Sequence, residues 1–407
     1  MAAMVNLPPD IDETLLVATL SAVVDHHDML RSRLLPDDGG LVVGAPGTVD
    51  VAGLLRRAEG ERESAAELDA AAGRLDPEAG VMAQFVWFAP GAGTAGRLLI
   101  VLHHLVADGV SWRVLLPDLA AAWAQVREGR APVLPPVGTS ARRWAHALTA
   151  EASTPDRAAE LPYWKDVLDG PDPQLGSRRL DPRLDTVATL DSIRVDLPDR
   201  AMEALLSMLP AKFRCGAQDG LLAGLALALA QWRRERGVAE SSCLIALEGH
   251  GREEAVVPGS DLSRTVGWFT SVFPARLDVA GCALDEAFAG GPAAGGALKT
   301  VKEQLRSIPD KGLGYGLLRY LNPETGADLG QYSAPQISFN YLGRFSPADM
   351  PGTSGDWAGH RSPTRTAWTS PPTPACPRWR RYRSASSSST ARTVRGPKPR
   401  SISPRAC

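Results

Sequence analysis

The 407-residue chain is poor in several features, and each shortage closes off a class of protein. Its five cysteines (Cys215, Cys243, Cys282, Cys376 and Cys407) are scattered, with no CxxC or other close pair. Neither a disulfide framework nor a zinc site follows, and a reducing, cytoplasmic setting is expected. No apolar run is long enough to cross a bilayer. The most apolar stretch, GLLAGLALALAQW at 220–232, is too short and runs into RRERG, so it predicts a buried helix and no membrane partner. No secretory signal opens the chain. Net charge is also small, at −2. That balance is uneven: residues 346–407 hold 11 of the 44 Lys and Arg but 2 of the 46 Asp and Glu, leaving the rest at −11. An acidic body excludes a nucleic-acid-binding core. GxSxG, Walker, HExxH and paired metal-ligand patterns are absent, so no metal is expected. Aromatics make up only 6% of the chain, and the dispersed tryptophans read as core rather than as a stacking platform.

What remains is a globular composition, 44% hydrophobic and 22% charged, long enough for two or three lobes. Residues 8–35 predict an amphipathic helix, with Leu15, Leu16, Leu20, Val23, Val24 and Leu30 at helical spacing and Asp12 as N-cap. VMAQFVWFAP and RLLIVLHHLVAD predict a strand pair joined by a Gly/Ala turn at 91–96. A helix follows from Ser111, with Pro117 near its start. Residues 170–186 read as a linker. LDSIRVDLP at 190–198 alternates like a strand, SSCLIALEGHGRE is a strand running into a glycine turn, and TVGWFTSVFPARLDV and QISFNYLGRF are further strands. From Ser346 the text loses apolar periodicity and turns Ser/Pro/Arg-rich, which predicts a disordered tail. So abrupt a change reads as a reading-frame error rather than a designed ending.

Two clusters could do chemistry. The first is His103, His104, Asp108 and Gly109, in HHLVADG at a strand end. In a strand the two imidazoles would point to opposite faces, so only one could face a cavity. Asp108 could bond a backbone group or a buried Arg, Gly109 would supply the turn, and Ser111 would cap the next helix. The bland alternative is two satisfied core imidazoles. The second cluster is EGHGRE at 248–253. Burial at the strand end would raise the pKa of Glu248 toward that of a working general base; the alternative is a surface turn in which Glu248 pairs with Arg252. A further pair, His26 and His27, falls in the first helix and reads as packing and salt-bridging. GLGYG at 312–316 lacks the setting of a dinucleotide loop and reads as a flexible loop near a cleft.

Taken in order, HHLVADGVSWRVLLPDL, EGHGRE, RTVGWFTSVFPARLD, PDKGLGYGLLRYL and ISFNYLGRF resemble the epimerization domains of nonribosomal peptide synthetases, members of the condensation-domain superfamily. The resemblance covers residues 5–345. It implies a mixed α/β fold of two chloramphenicol acetyltransferase-like lobes, 1–170 and 187–345, forming a V-shaped pseudo-dimer about a tunnel. It implies inversion (L to D) at the Cα of an aminoacyl or peptidyl thioester, carried on the 4′-phosphopantetheine arm of a peptidyl carrier protein. No tightly bound cofactor is expected, and adjacent adenylation and condensation domains are the expected neighbours. By the same resemblance His104 and Glu248 are catalytic, and Asn340 and Tyr341 approach the same site. His103, Asp108 and Gly109 are structural, and Trp112, Trp268 and Tyr315 line the tunnel. The family's first strand is expected to be missing before Met1 and its last strands after FNYLG, which would make the chain a truncated or inactive fragment. A condensation-type acyltransferase using the same histidine is the alternative, disfavoured by EGHGRE and DGVSWR.

Overall fold

The structure, a computed structural model, describes residues 1–36, 40–58, 64–89, 96–181, 183–343, 357 and 359–360. Ten strands are formed among the described residues: β1 (Ala2–Asn6), β2 (Ser32–Leu35), β3 (Gly40–Val43), β4 (Leu55–Ala58), β5 (Ala83–Phe88), β6 (Arg97–Leu102), β7 (Ser242–Gly249), β8 (Ser271–Asp278), β9 (Ile337–Phe339) and β10 (Gly359–His360). They divide between two mixed α/β units. The first unit takes Met1–Glu151 together with His250–Thr270 and the described residues after Tyr341; the second takes Ala152–Gly249 and Ser271–Tyr341. Sequence reading placed 250–270 in the second lobe. These residues instead satisfy their polar groups within the first unit: Asp261 and Thr139 exchange hydrogen bonds, and the Thr265 hydroxyl donates to the Thr139 carbonyl.

In the first unit the sheet order is β10-β1-β6-β5-β4. β5 and β6 pair antiparallel, with Ala83 opposite Leu102 and Phe88 opposite Arg97, as the sequence leads one to expect; the intervening turn at 90–95 lies outside the described residues. Every residue of β5 is buried, because both faces are covered. One face carries Phe85 and Ile100 against Leu16, Leu20 and Val23 of the helix Glu13–His26 and Leu115 and Leu119 of the helix Trp112–Arg127. The other carries Val86, Leu99 and Val101 against Ala71. The first helix is capped by Asp12, whose carboxylate accepts the Leu15 N–H at 2.8 Å, but it stops at His26 rather than running to residue 35. Arg31 ends it. Its guanidinium donates to the carbonyls of Val24 and Asp25, taking up acceptors the last turn leaves open, and β2 then pairs with β3.

One further expectation changes. The sheet begins with β1, which pairs antiparallel along β6 with Met4 opposite Leu99. Part of the stretch read as tail is also built into this unit. Trp357 is 1% exposed and donates its N–H to the Asn6 carbonyl, and β10 pairs with β1.

In the second unit the sheet order is β8-β7-β9, β8 antiparallel and β9 parallel to β7. The helices Ala217–Arg234 and Pro292–Arg306 cover it, burying Leu222, Ala226, Leu298 and Val301 with Ile245, Leu247 and Phe273. The helix expected at 220–232 is therefore present and buries one face. Residues 190–198 form no strand. Ile193 is 64% and Val195 75% exposed, because alternation makes a strand only where a sheet edge accepts its backbone.

Candidate active site

In the first unit β6 ends at Leu102, and the His103 N–H continues the ladder for one more bond, to the Met82 carbonyl at 2.8 Å. The two histidines thus open a loop rather than close a strand. Strand alternation therefore does not set where their rings point. His103 Nδ1 accepts the Leu105 N–H at 3.2 Å, and burial drives its pKa down to about 4. His104 lies against Trp268, ring centroids 4.8 Å apart at 53°. Burial lowers its pKa below the usual histidine range, so its imidazole is neutral at pH 7 and can accept a proton.

Asp108 fixes this loop. It is 1% exposed, and its carboxylate accepts from the Ser111 N–H and hydroxyl, both at 2.8 Å, and from the Phe269 N–H at 3.1 Å. Arg252 adds a bidentate pair at 3.0 and 3.2 Å, donates to the Thr265 carbonyl at 3.0 Å, and stacks over the Phe269 ring at 4.1 Å. A buried charge is tolerated when it is paired and its lone pairs are filled, and both conditions hold here. The sequence reading allowed Asp108 either a backbone group or an arginine; it has both. Arg252 of EGHGRE therefore pairs with Asp108 rather than with Glu248. Ser111 stands at the N-cap position but makes no capping bond, since its hydroxyl serves Asp108 and the Gly267 carbonyl. Gly109 is not forced by its turn, because a Cβ there would meet nothing within 4 Å. Trp112 is buried in the apolar core with Leu20, Phe85 and Ile100.

His26 and His27 touch edge-on, centroids 4.9 Å apart at 86°, because the helix ends between them. His27 Nε2 lies 2.9 Å from Asp118 Oδ2, and Arg264 pairs with the other carboxylate oxygen. The ligand atoms of His26, His27 and Asp118 fall within 4.8 Å of one another, yet Arg264 already neutralises the carboxylate. The expected packing and salt-bridging role is what is found.

In the second unit Glu248 stands one residue before the end of β7, opposite Val272. Burial raises its pKa to about 7, against a smaller opposing effect from the Asn340 amide, which donates to its carboxylate. β9 runs parallel to β7 with Leu247 beside Phe339, and this register brings Asn340 to Glu248. Tyr341 follows directly in the chain.

Tyr315 meets Trp164 edge-on, centroids 5.4 Å apart at 62°, and burial raises its pKa to about 12. Its segment is not a loose loop. Asp310 (φ 41°), Lys311 (φ 48°) and Gly312 (φ 87°) make a left-handed turn, and Leu313–Gly316 is helical. A Cβ on Gly312 would come within 2.1 Å of the Phe273 ring, so that glycine is required by contact as well as by its φ; one on Gly314 would meet Glu160 Oε2 at 2.0 Å and would displace that side chain. Sequence reading passed over Arg157, which is buried and pairs with both Glu160 and Asp310. The only signal for it was an arginine between two polar helical pieces, which is no signal without the fold.

Chemically, the first unit offers a neutral imidazole on a fixed loop, and the second a carboxyl that titrates near neutrality beside an amide. A family model described as the condensation domain matches residues 1–366. One of the linear gramicidin synthase proteins of Brevibacillus parabrevis is 39% identical over 86% of this chain, and tyrocidine synthase 1 of the same organism is 30% identical over 84%. These matches cover 4% and 30% of those proteins, so the chain spans a small part of the relatives it resembles. The crystal structure of the epimerization domain from the third module of tyrocidine synthetase B superposes with a TM-score of 0.70 at 30% identity, covering 85% of this chain and 76% of that one. The first condensation domain of the calcium-dependent antibiotic synthetase shares the fold, with a TM-score of 0.58 at 21% identity over 86% of this chain and 76% of that one.

Proposed function

The chain belongs to the condensation-domain family, and on that footing we propose that it inverts the α-carbon of an aminoacyl or peptidyl thioester held on the phosphopantetheine arm of a carrier protein. His104 and Glu248 are the two proton-transfer groups. The observation that carries this reading is Glu248 itself, a carboxyl at a strand end whose burial puts its pKa at about 7, where a carboxylic acid and a carboxylate coexist. Proton transfer is most efficient when the group's pKa lies near the working pH. The likeness to an epimerization domain over 85% of the chain supports the same reading.

Inversion is two proton transfers with no net change in composition. One group removes the Cα proton; the C–H electron pair moves into a Cα–C bond, and the thioester carbonyl oxygen becomes an enolate oxygen. The other group returns a proton to the opposite face, and the carbonyl re-forms. The enolate oxygen needs a donor. Asn340 donates one amide N–H to Glu248 and so orients that carboxyl; its second N–H and the Tyr341 hydroxyl are the two candidate donors. Adenylation and condensation domains are the partners this reading supplies, and the cytoplasm is its setting.

The test is solvent deuterium uptake at Cα, with chiral analysis, on a carrier protein loaded in parallel with L-phenylalanine, L-leucine and L-valine thioesters. Uptake with D/L mixing is expected, falling ~10²–10⁴-fold in His104→Ala and in Glu248→Gln. Wild-type uptake in both variants would refute the assignment. A new amide bond between two loaded carriers, without mixing, would establish acyl transfer instead. The rate should bend near pH 7, rising through it if Glu248 accepts the proton and falling if it delivers one, and the bend should vanish in Glu248→Gln.

A further inference from the structure

Asp310 and Lys311 are consecutive non-glycine residues in the left-handed region, a conformation that L side chains adopt only where the surroundings hold them. What holds them is visible. Arg157 Nη2 lies 2.9 Å from Asp310 Oδ2, and its Nη1 pairs with Glu160. Glu160 in turn accepts the Trp164 indole N–H at 3.0 Å, and Tyr315 meets that indole edge-on. On its far side the turn lies against the sheet. Gly312 sits on the Phe273 ring, and a Cβ on Gly249 would lie 3.8 Å from the Lys311 carbonyl. Phe273 is the register partner of Leu247, and Gly249 follows Glu248. A chain of contacts therefore runs from a buried arginine, through a strained turn, to the strand end that bears Glu248, all within one unit.

We infer that the Arg157–Asp310 ion pair is a positioning device for Glu248: it clamps the 310–312 turn against the end of β7 and so fixes where that carboxyl stands. This rests on the reading of Glu248 as a proton-transfer group. Neither Arg157 nor Asp310 touches the reacting atoms. Their effect passes through the Lys311–Gly312 backbone, which fills the space beside Gly249 and Phe273. If the clamp opens, the turn is free to relax out of its left-handed conformation, and the strand end loses the wall against which it is set. A misplacement of about 1 Å at a reacting group can cost ~100-fold in rate.

The measurement uses the full chain and the carrier-bound L-aminoacyl thioesters named above, read as Cα deuterium uptake at varied carrier concentration. Asp310→Ala removes both the charge and the tolerance for a left-handed backbone. It should lower the saturating rate ~10–100-fold while leaving the half-saturating carrier concentration within about 2-fold. Asp310→Asn should recover most of that loss, because asparagine tolerates the left-handed conformation and its side-chain oxygen can still accept from Arg157. Asp310 is 45% exposed, so neither change should unfold the protein, and melting temperatures check this directly. Wild-type rates in Asp310→Ala overturn the inference, and so does an Asn variant as impaired as the Ala variant. If Glu248→Gln keeps full uptake, the underlying reading fails instead, whatever the Asp310 variants do.

Discussion

The histidine loop of the first unit and the Glu248 strand end of the second hold polar groups in opposite ways. Asp108 is buried with its carboxylate held by the Ser111 and Phe269 N–H groups and by a bidentate guanidinium, so its position is locked. Glu248 is half-buried with one amide donor and, among the described residues, no cation that shifts it, so its charge is left free to change. The lesson is that burial alone does not decide whether a carboxylate becomes scaffold or reagent. The partners decide: filling the lone pairs and adding a cation fixes the ionised form, whereas desolvation with a single neutral donor brings the proton within reach of neutral pH.

This contrast can be broken from either side. The largest effect on stability should come from Arg252→Ala, which strands the Asp108 charge in the interior of the first unit. A loss of ~3–5 kcal/mol is expected in denaturant unfolding, and a value below about 1 kcal/mol would mean Asp108 is not locked as described. A smaller effect, opposite in sign and dependent on pH, is expected at Glu248. Its folded pKa of about 7 lies above its ordinary value of 4.5, so the folded state is favoured below pH 4.5 and that advantage is lost as pH rises through 7. Glu248→Gln does not ionise, so it should be more stable than wild type at pH 8 by ~1–2 kcal/mol, discounted for partial solvent exposure, with the gap narrowing toward pH 5. Equal melting temperatures of the two proteins across pH 5–8 would show an ordinary carboxyl. The smallest effect belongs to residues that are neither locked nor titrating. Ile193→Thr, in the exposed alternating stretch, should move unfolding by no more than about 0.5 kcal/mol, whereas a strand buried in a sheet would feel it strongly.

Much of this was legible in the residues, and what was missed has a common cause. The apolar periods of β5, β6 and the helices Trp112–Arg127 and Ala217–Arg234 read correctly because each covers its own buried face. LDSIRVDLP has the right period and no strand, since pairing depends on a partner that a local pattern does not contain. Ser111 reads as a cap and serves Asp108, because a hydroxyl takes whichever acceptor the fold brings nearest. GLGYG reads as slack, yet Gly312 is where the Phe273 ring leaves no room for a side chain.

The sequence by itself determined the kinds of groups present and their order along the chain: two imidazoles after an apolar strand, a carboxyl at the end of another, and an Asn-Tyr after a third. Those follow from periodicity and residue chemistry, which are local. Only the tertiary structure decided that Arg252 belongs to Asp108, that Asn340 belongs to Glu248, and that Arg157 braces a left-handed turn, since each pairing joins residues far apart in the chain. The energy that fixes such pairings, desolvation set against charge and hydrogen bonding, does not exist until the surrounding chain has excluded water.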